Sequence, residues 1–261
     1  MQTMKKLVVV ILVFGALAVL LITTGKWDAA IVGPVQAVFG QKAAQHVDDF
    51  GQRSNQIATK AGDLTDRMLN GLLGNKVDPA AVNEALAATP TTSDVRIPPY
   101  DRAAFGPSWA DTDHNGCDTR NDVLNRDLTS VTHTSGDCVV KTGVLADPYT
   151  GATINFLRGV NTSRTVQIDH IVPLGLAWMM GAASWNDDKR EAFANDQAEL
   201  LAVDGPSNGT KSDKGPSQWL PANRAYQCMY VAKFVYVAVT YSLSITAADK
   251  GAISSALTTC P

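Results

Sequence analysis

Residues 166–174, VQIDHIVPL, put an Asp–His pair at the end of a β-branched, apolar run. The run predicts a strand, in which neighbouring side chains point to opposite faces. The Asp169 carboxylate can therefore bind a metal ion while the His170 imidazole faces a substrate water on the other side of the strand. For the dipeptide alone, an ordinary turn that the pair caps is the alternative interpretation.

A second motif, NGTKSDK at residues 208–214, follows a short apolar strand predicted at 200–203 and a Gly–Pro turn. Ser207 is expected to cap a short helix there. This helix carries Asn208 and Lys211 on one face, because residues three apart are neighbours on a helix. The two strands and the helix together predict a small ββα unit.

The segments around this unit predict a mixed fold. An antiparallel pair of strands is expected at 139–145 and 153–156, joined by the turn DPYTG. Helices are expected at 79–86, after Asp118, at 173–180, 186–194 and 223–242, and from Thr246 to the last cysteine.

The N-terminus carries two lysines and then an uninterrupted apolar run from residue 7 to residue 22. This order is typical of an export signal, and the run is somewhat long for a cleaved signal and slightly short for a membrane span. We expect the anchor, with the lysines in the cytoplasm and the rest outside. The predicted division is a signal peptide or membrane anchor at 1–26, a helical stalk or linker at 27–92, and a folded domain at 93–261.

The four cysteines all lie in the part predicted to be exported. Four cysteines allow three pairings, and free buried thiols are the alternative. We expect Cys117–Cys138 and Cys228–Cys260, because each pair brackets one compact segment. No Cys-x-x-Cys pair is present, so a structural zinc site is not expected.

The formal net charge of −3 gives no electrostatic indication of a nucleic-acid partner. A polyanion site would therefore depend on a local basic patch or on a bound cation.

At an ordered series of residues the chain resembles the HNH nuclease superfamily. The resemblance is to the branch found in exported actinobacterial proteins and at the C-terminus of GmrSD-type restriction enzymes. It covers roughly residues 100–260. The residues that carry it are CDTRNDVL at 117–124, DHIVPL at 169–174, AW at 177–178, GA at 181–182, Trp185, Arg190, FAND at 193–196, LLAVD at 200–204, Asn208, KSD at 211–213, WLP at 219–221 and Asn223.

The resemblance implies an α+β fold with a ββα-metal (HNH, His-Me finger) core. This core would be embedded in additional helices and a small antiparallel sheet, after a helical N-terminal segment. Carried over by position, Asp169 and Asn208 would be metal ligands and His170 the general base. The ion would be one divalent cation, magnesium first and manganese as the alternative, since hard cations prefer oxygen ligands.

The chain departs from the family pattern at Glu199. The family has an Asn there, which fixes the catalytic imidazole. Glu199 is expected to accept a hydrogen bond from His170 and to raise its pKa, with Asn195 as another candidate for holding the ring.

Three basic residues have two interpretations each. Lys211 and Lys214 either contact phosphate or form a solvated face. Arg120 either holds the scissile phosphate, since guanidinium binds phosphate through two hydrogen bonds, or pairs with Asp118 within a capped helix. Trp109, Trp185 and Trp219 are expected in the core rather than as platforms for bases.

The sequence as a whole predicts a metal-dependent endonuclease that hydrolyses DNA with low sequence specificity outside the cytoplasm. It would be secreted, or attached to the extracellular side of the membrane through its N-terminal segment. RNA is an alternative substrate, and no protein partner can be inferred. The alternative function is a membrane-tethered, catalytically weak module that binds nucleic acid or the cell envelope.

Overall fold

The computed structural model describes residues 62–92, 98–134 and 136–261, together with Gln45 and Lys60. Within these residues, Thr65–Pro261 forms one compact unit. The predicted signal or anchor at residues 1–26 lies outside the described residues, and the predicted domain boundary at residue 93 stays a prediction. None of the helices in the described ranges is long and apolar enough to cross a membrane.

Among the residues described, the unit combines seven α-helices and five strands with three short 3₁₀-helices and the helical residues 65–73. The α-helices are α1 (Pro79–Ala88), α2 (Thr119–Asp127), α3 (Leu174–Met180), α4 (Asp187–Ala194), α5 (Gly205–Lys211), α6 (Arg224–Thr240) and α7 (Ala247–Leu257). The strands are β1 (Leu128–His133), β2 (Val140–Ala146), β3 (Thr153–Leu157), β4 (Val166–His170) and β5 (Leu200–Asp204). This confirms a mixed α+β fold.

The strands form two antiparallel sheets. The first has the order β1-β2-β3, and the second consists of β4 and β5 alone. The sequence predicts β2 and β3 but not β1, whose LTSVTH has little apolar alternation. Helix α2 packs over both sheets, and its Val123 and Leu124 share one buried cluster with Phe156 of β3 and Ile168 of β4.

Local capping explains where several helices begin. The Asp78 carboxylate accepts hydrogen bonds from the first turn of α1, and Pro79 occupies its first position, as predicted. Asp118 caps α2 and Thr246 caps α7 in the same way. Helix α5 is the exception, because its cap is Asp204 and not the expected Ser207, whose backbone N donates to Asp204.

Two disulfides join Cys117 to Cys138 and Cys228 to Cys260, each with its Cα atoms 5.3 Å apart. Both expected pairings are confirmed. The first links the loop before α2 to the segment before β2, and the second links α6 to the end of the chain.

Helix α5 begins so close to the segment before β4 that only glycine fits at its first residue. A Cβ added at Gly205 would lie 2.1 Å from the backbone oxygen of Arg164. The following Pro206 has no N–H to satisfy in the first helical turn. The close approach fixes α5 against the start of β4, and the positions of Asn208 and Lys211 on α5 depend on it.

We therefore expect Gly205→Ala to destabilise the protein by roughly 1–3 kcal/mol, because the methyl group meets backbone that cannot yield. Gly209→Ala, in the same helix, is the matched control, since a Cβ there meets nothing within 4 Å. It should be neutral or stabilise by up to about 1 kcal/mol. Urea unfolding of the two variants makes the comparison, and equal stability of both would contradict the close approach.

Candidate active site

Asp169 of β4 is a buried carboxylate held by two donors. It is 5% exposed, and its Oδ1 and Oδ2 lie 3.0 and 2.9 Å from Nζ of Lys211. The hydroxyl of Tyr149, also buried, donates to Oδ2. Burial raises the pKa of Asp169, and the adjacent Lys211 ammonium opposes that rise.

Lys211 joins α5 to β4. The side chain has no exposed surface, and its Nζ also donates to the backbone oxygen of His170 at 2.7 Å. The i, i+3 spacing predicts that Asn208 and Lys211 share a helix face, and both do reach β4. The Lys211 ammonium is therefore on Asp169 and not on an accessible surface, and its predicted contact with phosphate stays a prediction.

The His170 ring is fixed by a backbone carbonyl. Its Nε2 lies 2.9 Å from the backbone oxygen of Ala194, at the end of α4. A carbonyl oxygen only accepts, so Nε2 carries the proton and Nδ1 is the nitrogen free to accept one. Burial lowers the pKa of His170 to about 4, with further lowering by the cations of Arg102 and Lys211. The imidazole is thus neutral at physiological pH.

Glu199 does not hold the His170 ring, and this corrects the sequence-based expectation. Its carboxylate accepts hydrogen bonds from the backbone N of Val172 at 3.0 and 3.2 Å, while its own backbone oxygen accepts from Ile171. Burial raises the pKa of Glu199 well above its usual range. The expected increase in the His170 pKa is also wrong, since burial dominates. Glu199 fixes the turn after β4 instead.

Asn195 does not hold the ring either. Its side-chain oxygen accepts from the backbone N of Ala110 at 3.0 Å, and its amide donates to Glu191. The residue that the sequence suggests as an alternative support for His170 therefore anchors the segment before α2.

His170 opens onto a pocket of about 310 Å³. One wall consists of residues 102–109, and the other of His170, Leu174, Ala194 and Asn195. The Trp109 ring is nearly parallel to the imidazole, with an interplanar angle of 15° and centroids 6.3 Å apart. The expectation that Trp109 is a core residue holds in part, since it is half-buried and packs against the cluster beneath the sheets.

The other predicted site residues lie around this centre at different distances. Asn208 is half-buried, and its amide donates to Gln167 on β4 at 2.9 Å. Lys214 donates to the backbone oxygen of Thr210 at the end of α5. Arg120 donates to the backbone oxygen of Val166. At a rise of ~3.3 Å per residue, Val166 is about 13 Å from His170 along β4, so the structure does not bring Arg120 to the imidazole.

The types of oxygen donor at Asp169 and Asn208 are suited to a single hard cation. A carboxylate on β4 and the Asn208 side-chain oxygen on α5 are the oxygen donors that magnesium prefers. No partner for that Asn208 oxygen is found among the described residues. The described part of the chain contains no cluster of three or more His, Cys, Asp or Glu side chains that could hold a metal. A cation at Asp169 would have to share the carboxylate with Lys211.

A sequence model of the C-terminal domain of GmrSD restriction endonucleases matches residues 118–256. The chain belongs to this family. The match confirms the resemblance that the Asp–His and Asn motifs indicate, and it assigns the chain to a nuclease-type family. Residues 102–109, which form one wall of the pocket, precede the matched range.

An uncharacterized secreted protein of Arthroderma benhamiae is 41% identical over 163 residues. The aligned part covers 62% of this chain and 76% of that protein. No solved structure matches the chain.

Four residues of the site carry no sequence signal that would have found them. Arg102 and Trp109 lie in DRAAFGPSWA, which matches no catalytic pattern. Ala194 contributes a backbone oxygen, which any residue type could supply. Tyr149 lies in the turn between β2 and β3, and only the fold brings its hydroxyl to Asp169.

The buried ion pair makes a direct prediction about stability. Lys211→Met should destabilise the protein by roughly 3–5 kcal/mol at pH 7, because it leaves the buried Asp169 carboxylate without its cation. Lys214→Met, a neighbouring lysine whose ammonium reaches only a helix-end carbonyl, should change stability by less than about 0.5 kcal/mol. Chemical denaturation measures both.

The double variant Asp169→Asn, Lys211→Met removes both charges and should recover part of the loss. If Lys211→Met is as stable as Lys214→Met, the ion pair does not exist as described.

Proposed function

We propose that this chain is a metal-dependent endonuclease that hydrolyses phosphodiester bonds in DNA, with little sequence preference, outside the cytoplasm. The observation that carries the proposal is the His170 ring. Its Nε2 is fixed on Ala194, which leaves Nδ1 as the nitrogen that can accept a proton, its pKa is lowered to about 4, and the residue lines a pocket. Membership of a nuclease-type family supports the same conclusion.

His170 acts as the general base. Its Nδ1 takes a proton from a water molecule as the water oxygen attacks phosphorus, and the bond from phosphorus to the leaving oxygen breaks. The low pKa keeps the ring free of a proton before the step. A phosphodiester anion bound beside the ring favours the imidazolium, which makes the proton transfer easier when substrate is present.

Asp169 and Asn208 would hold the divalent cation, magnesium or manganese, in the ββα-metal arrangement of β4, β5 and α5. When bound, such a cation neutralises the charge that builds up on the phosphate oxygens. Tyr149 and Lys211 hold the Asp169 carboxylate in position through their hydrogen bonds. Glu199 holds the backbone that follows His170.

Low sequence specificity follows from the kind of contacts available. Lys214 and Arg120 are expected to contact the phosphate backbone outside the reacting centre, and such contacts carry no sequence information. In the described part of the chain, no helix resembles an element that reads bases in the major groove.

Export is supported by three observations. The chain has two disulfides, which persist in oxidising compartments. Its N-terminus has the order of an export signal, and the similar fungal protein is described as secreted. Attachment to the membrane through residues 1–26 remains part of the proposal.

One observation favours a second candidate, a catalytically weak binding module. The Lys211 ammonium contacts both Asp169 oxygens, and a divalent cation would be repelled by it. In that case the chain would bind nucleic acid without cutting it, and the following experiment separates the two candidates.

The full chain is incubated with plasmid DNA and with single-stranded circular DNA, each with Mg²⁺, with Mn²⁺ or with chelator. We expect cleavage with metal and none with chelator. His170→Ala should lose at least about 100-fold in rate, since a positioned general base contributes 10²–10⁴-fold. His133→Ala is the matched control, because His133 lies on β1, in the other sheet.

Cleavage by His170→Ala at the rate of the unchanged protein would contradict the role of His170. Binding of DNA with no cleavage under any metal would favour the binding module.

A further inference from the structure

The pocket beside His170 is formed by a segment that the nuclease match does not include. Residues 102–109, here called the lip, cover one side of the pocket and precede the matched range of 118–256. Two buried side chains hold it in place. Arg190 donates to the backbone oxygen of Ala104 at 2.9 Å, and Asn195 accepts from the backbone N of Ala110 at 3.0 Å.

Hydrogen bonds and aromatic packing hold the lip in place. The Thr119 hydroxyl also donates to the Ala110 backbone oxygen, which ties the residue directly after the lip to the first residue of α2. Phe105 is 2% exposed and packs its ring against Phe193 and Trp178. The pocket surface is therefore fixed from below by α3 and α4.

The pocket is lined by an aromatic ring, a cation and the imidazole of His170. Trp109 and His170 lie nearly parallel to each other, while Arg102, an exposed residue, adds a cation to the lining. Ala103 and Leu174 add apolar surface. Within the described part of the chain, no carboxylate lines the pocket. An aromatic platform beside a cation is the combination that binds unpaired nucleotides.

Trp109 is held in an unusual backbone conformation. Its φ is +60°, in the left-handed region that bulky side chains rarely adopt. Such a conformation persists only where the surroundings impose it, and it recurs at ligand sites. Here the hydrogen bonds at Ala110, on both its N and its O, fix the backbone directly after Trp109.

We propose that this pocket holds one unpaired nucleotide of a single-stranded nucleic acid next to the scissile phosphate. Its base would lie on Trp109 and its phosphate would face Arg102. A volume of 310 Å³ is at the lower end of ligand pockets, ~300 Å³ and above, so it takes one nucleotide and not a base pair. The inference rests on the proposed nuclease function and narrows its preferred substrate to strands that present unpaired nucleotides.

Binding is tested on the full chain in chelator, by fluorescence anisotropy of labelled octamers. The probes are oligothymidylate, an abasic oligomer of the same length and charge, and a hairpin duplex. Base stacking on one aromatic residue is worth about 1–3 kcal/mol, which is roughly a 5- to 150-fold change in Kd. We expect oligothymidylate to bind at least about tenfold tighter than the abasic oligomer and than the hairpin.

The variants separate stacking from charge. Trp109→Ala should remove most of the preference for oligothymidylate over the abasic oligomer, while Trp109→Phe, which keeps an aromatic face, should retain most of it. Arg102→Gln should weaken both oligomers, because both carry phosphates. A merely structural role of Trp109 would instead weaken both oligomers equally.

Equal binding of the abasic and thymidine oligomers, equal weakening of both by Trp109→Ala, or a hairpin bound as tightly as oligothymidylate would overturn the proposal. An oligouridylate arm shows whether DNA or RNA supplies the nucleotide. Because the assay measures binding without cleavage, its result is separate from that of the plasmid assay. If cleavage depends on His170 but binding does not depend on the base, the nucleotide pocket is contradicted and the nuclease function stands.

Discussion

The ion pair between Asp169 and Lys211 joins the two parts of the structure on which the candidate site depends. Asp169 lies on β4 and Lys211 on α5, and the two side chains are 6% and 0% exposed. Two charges so far from water are tolerated only when their remaining hydrogen-bonding atoms are also satisfied. Tyr149 and the His170 backbone oxygen supply those bonds. The pair thus fixes how α5 sits on β4, and with it where Asn208 lies.

The same ion pair opposes the binding of a metal ion by Asp169. A buried carboxylate that already has a cation beside it is a weaker ligand for a metal ion than one that has none. The oxygen of Asn208 and the strand position of Asp169 favour metal binding, whereas the Lys211 ammonium opposes it. A nuclease that works through this site has to move the ammonium partly off Asp169 when the metal binds, or hold the metal with Asp169 shared between the two.

His170 depends on backbone groups rather than on a side-chain partner. Ala194 holds its Nε2, and Glu199 holds the turn that follows it. This explains how the chain can carry a Glu where the HNH pattern that it resembles has an Asn. Once a carbonyl fixes the ring, the position of Glu199 is free to serve the backbone. Burial raises the pKa of Glu199 and lowers that of His170.

Much of the fold follows from local sequence signals. The caps at Asp78, Asp118 and Thr246 predict helix starts that the structure has, and the cysteine spacing predicts both disulfides. Strand β1 is missed because its side chains are largely polar and exposed, so the apolar alternation that marks a strand is absent. Its pairing with β2 is a tertiary effect.

For the candidate site, the sequence predicts which elements carry Asp169, His170 and Asn208, but it does not predict their partners. Asp169, His170 and Asn208 carry side chains whose chemistry a motif can reveal. The groups that hold them, which are the backbone of Ala194, the hydroxyl of Tyr149 and the lip with Trp109, come together only through contacts between distant segments. Such contacts leave no spacing pattern in one sequence.

The proposed chemistry depends on a neutral His170 imidazole that is protonated on Nε2, with Nδ1 as the base. Nitrogen-15 NMR of the histidine rings in the metal-free protein, with His170→Ala to assign the signal, measures this state. The account predicts the Nε2–H tautomer from pH 8 down to about pH 5, with protonation of Nδ1 only near pH 4. A ring that carries its proton on Nδ1, or one that titrates near 6.5 as an exposed histidine does, would contradict it.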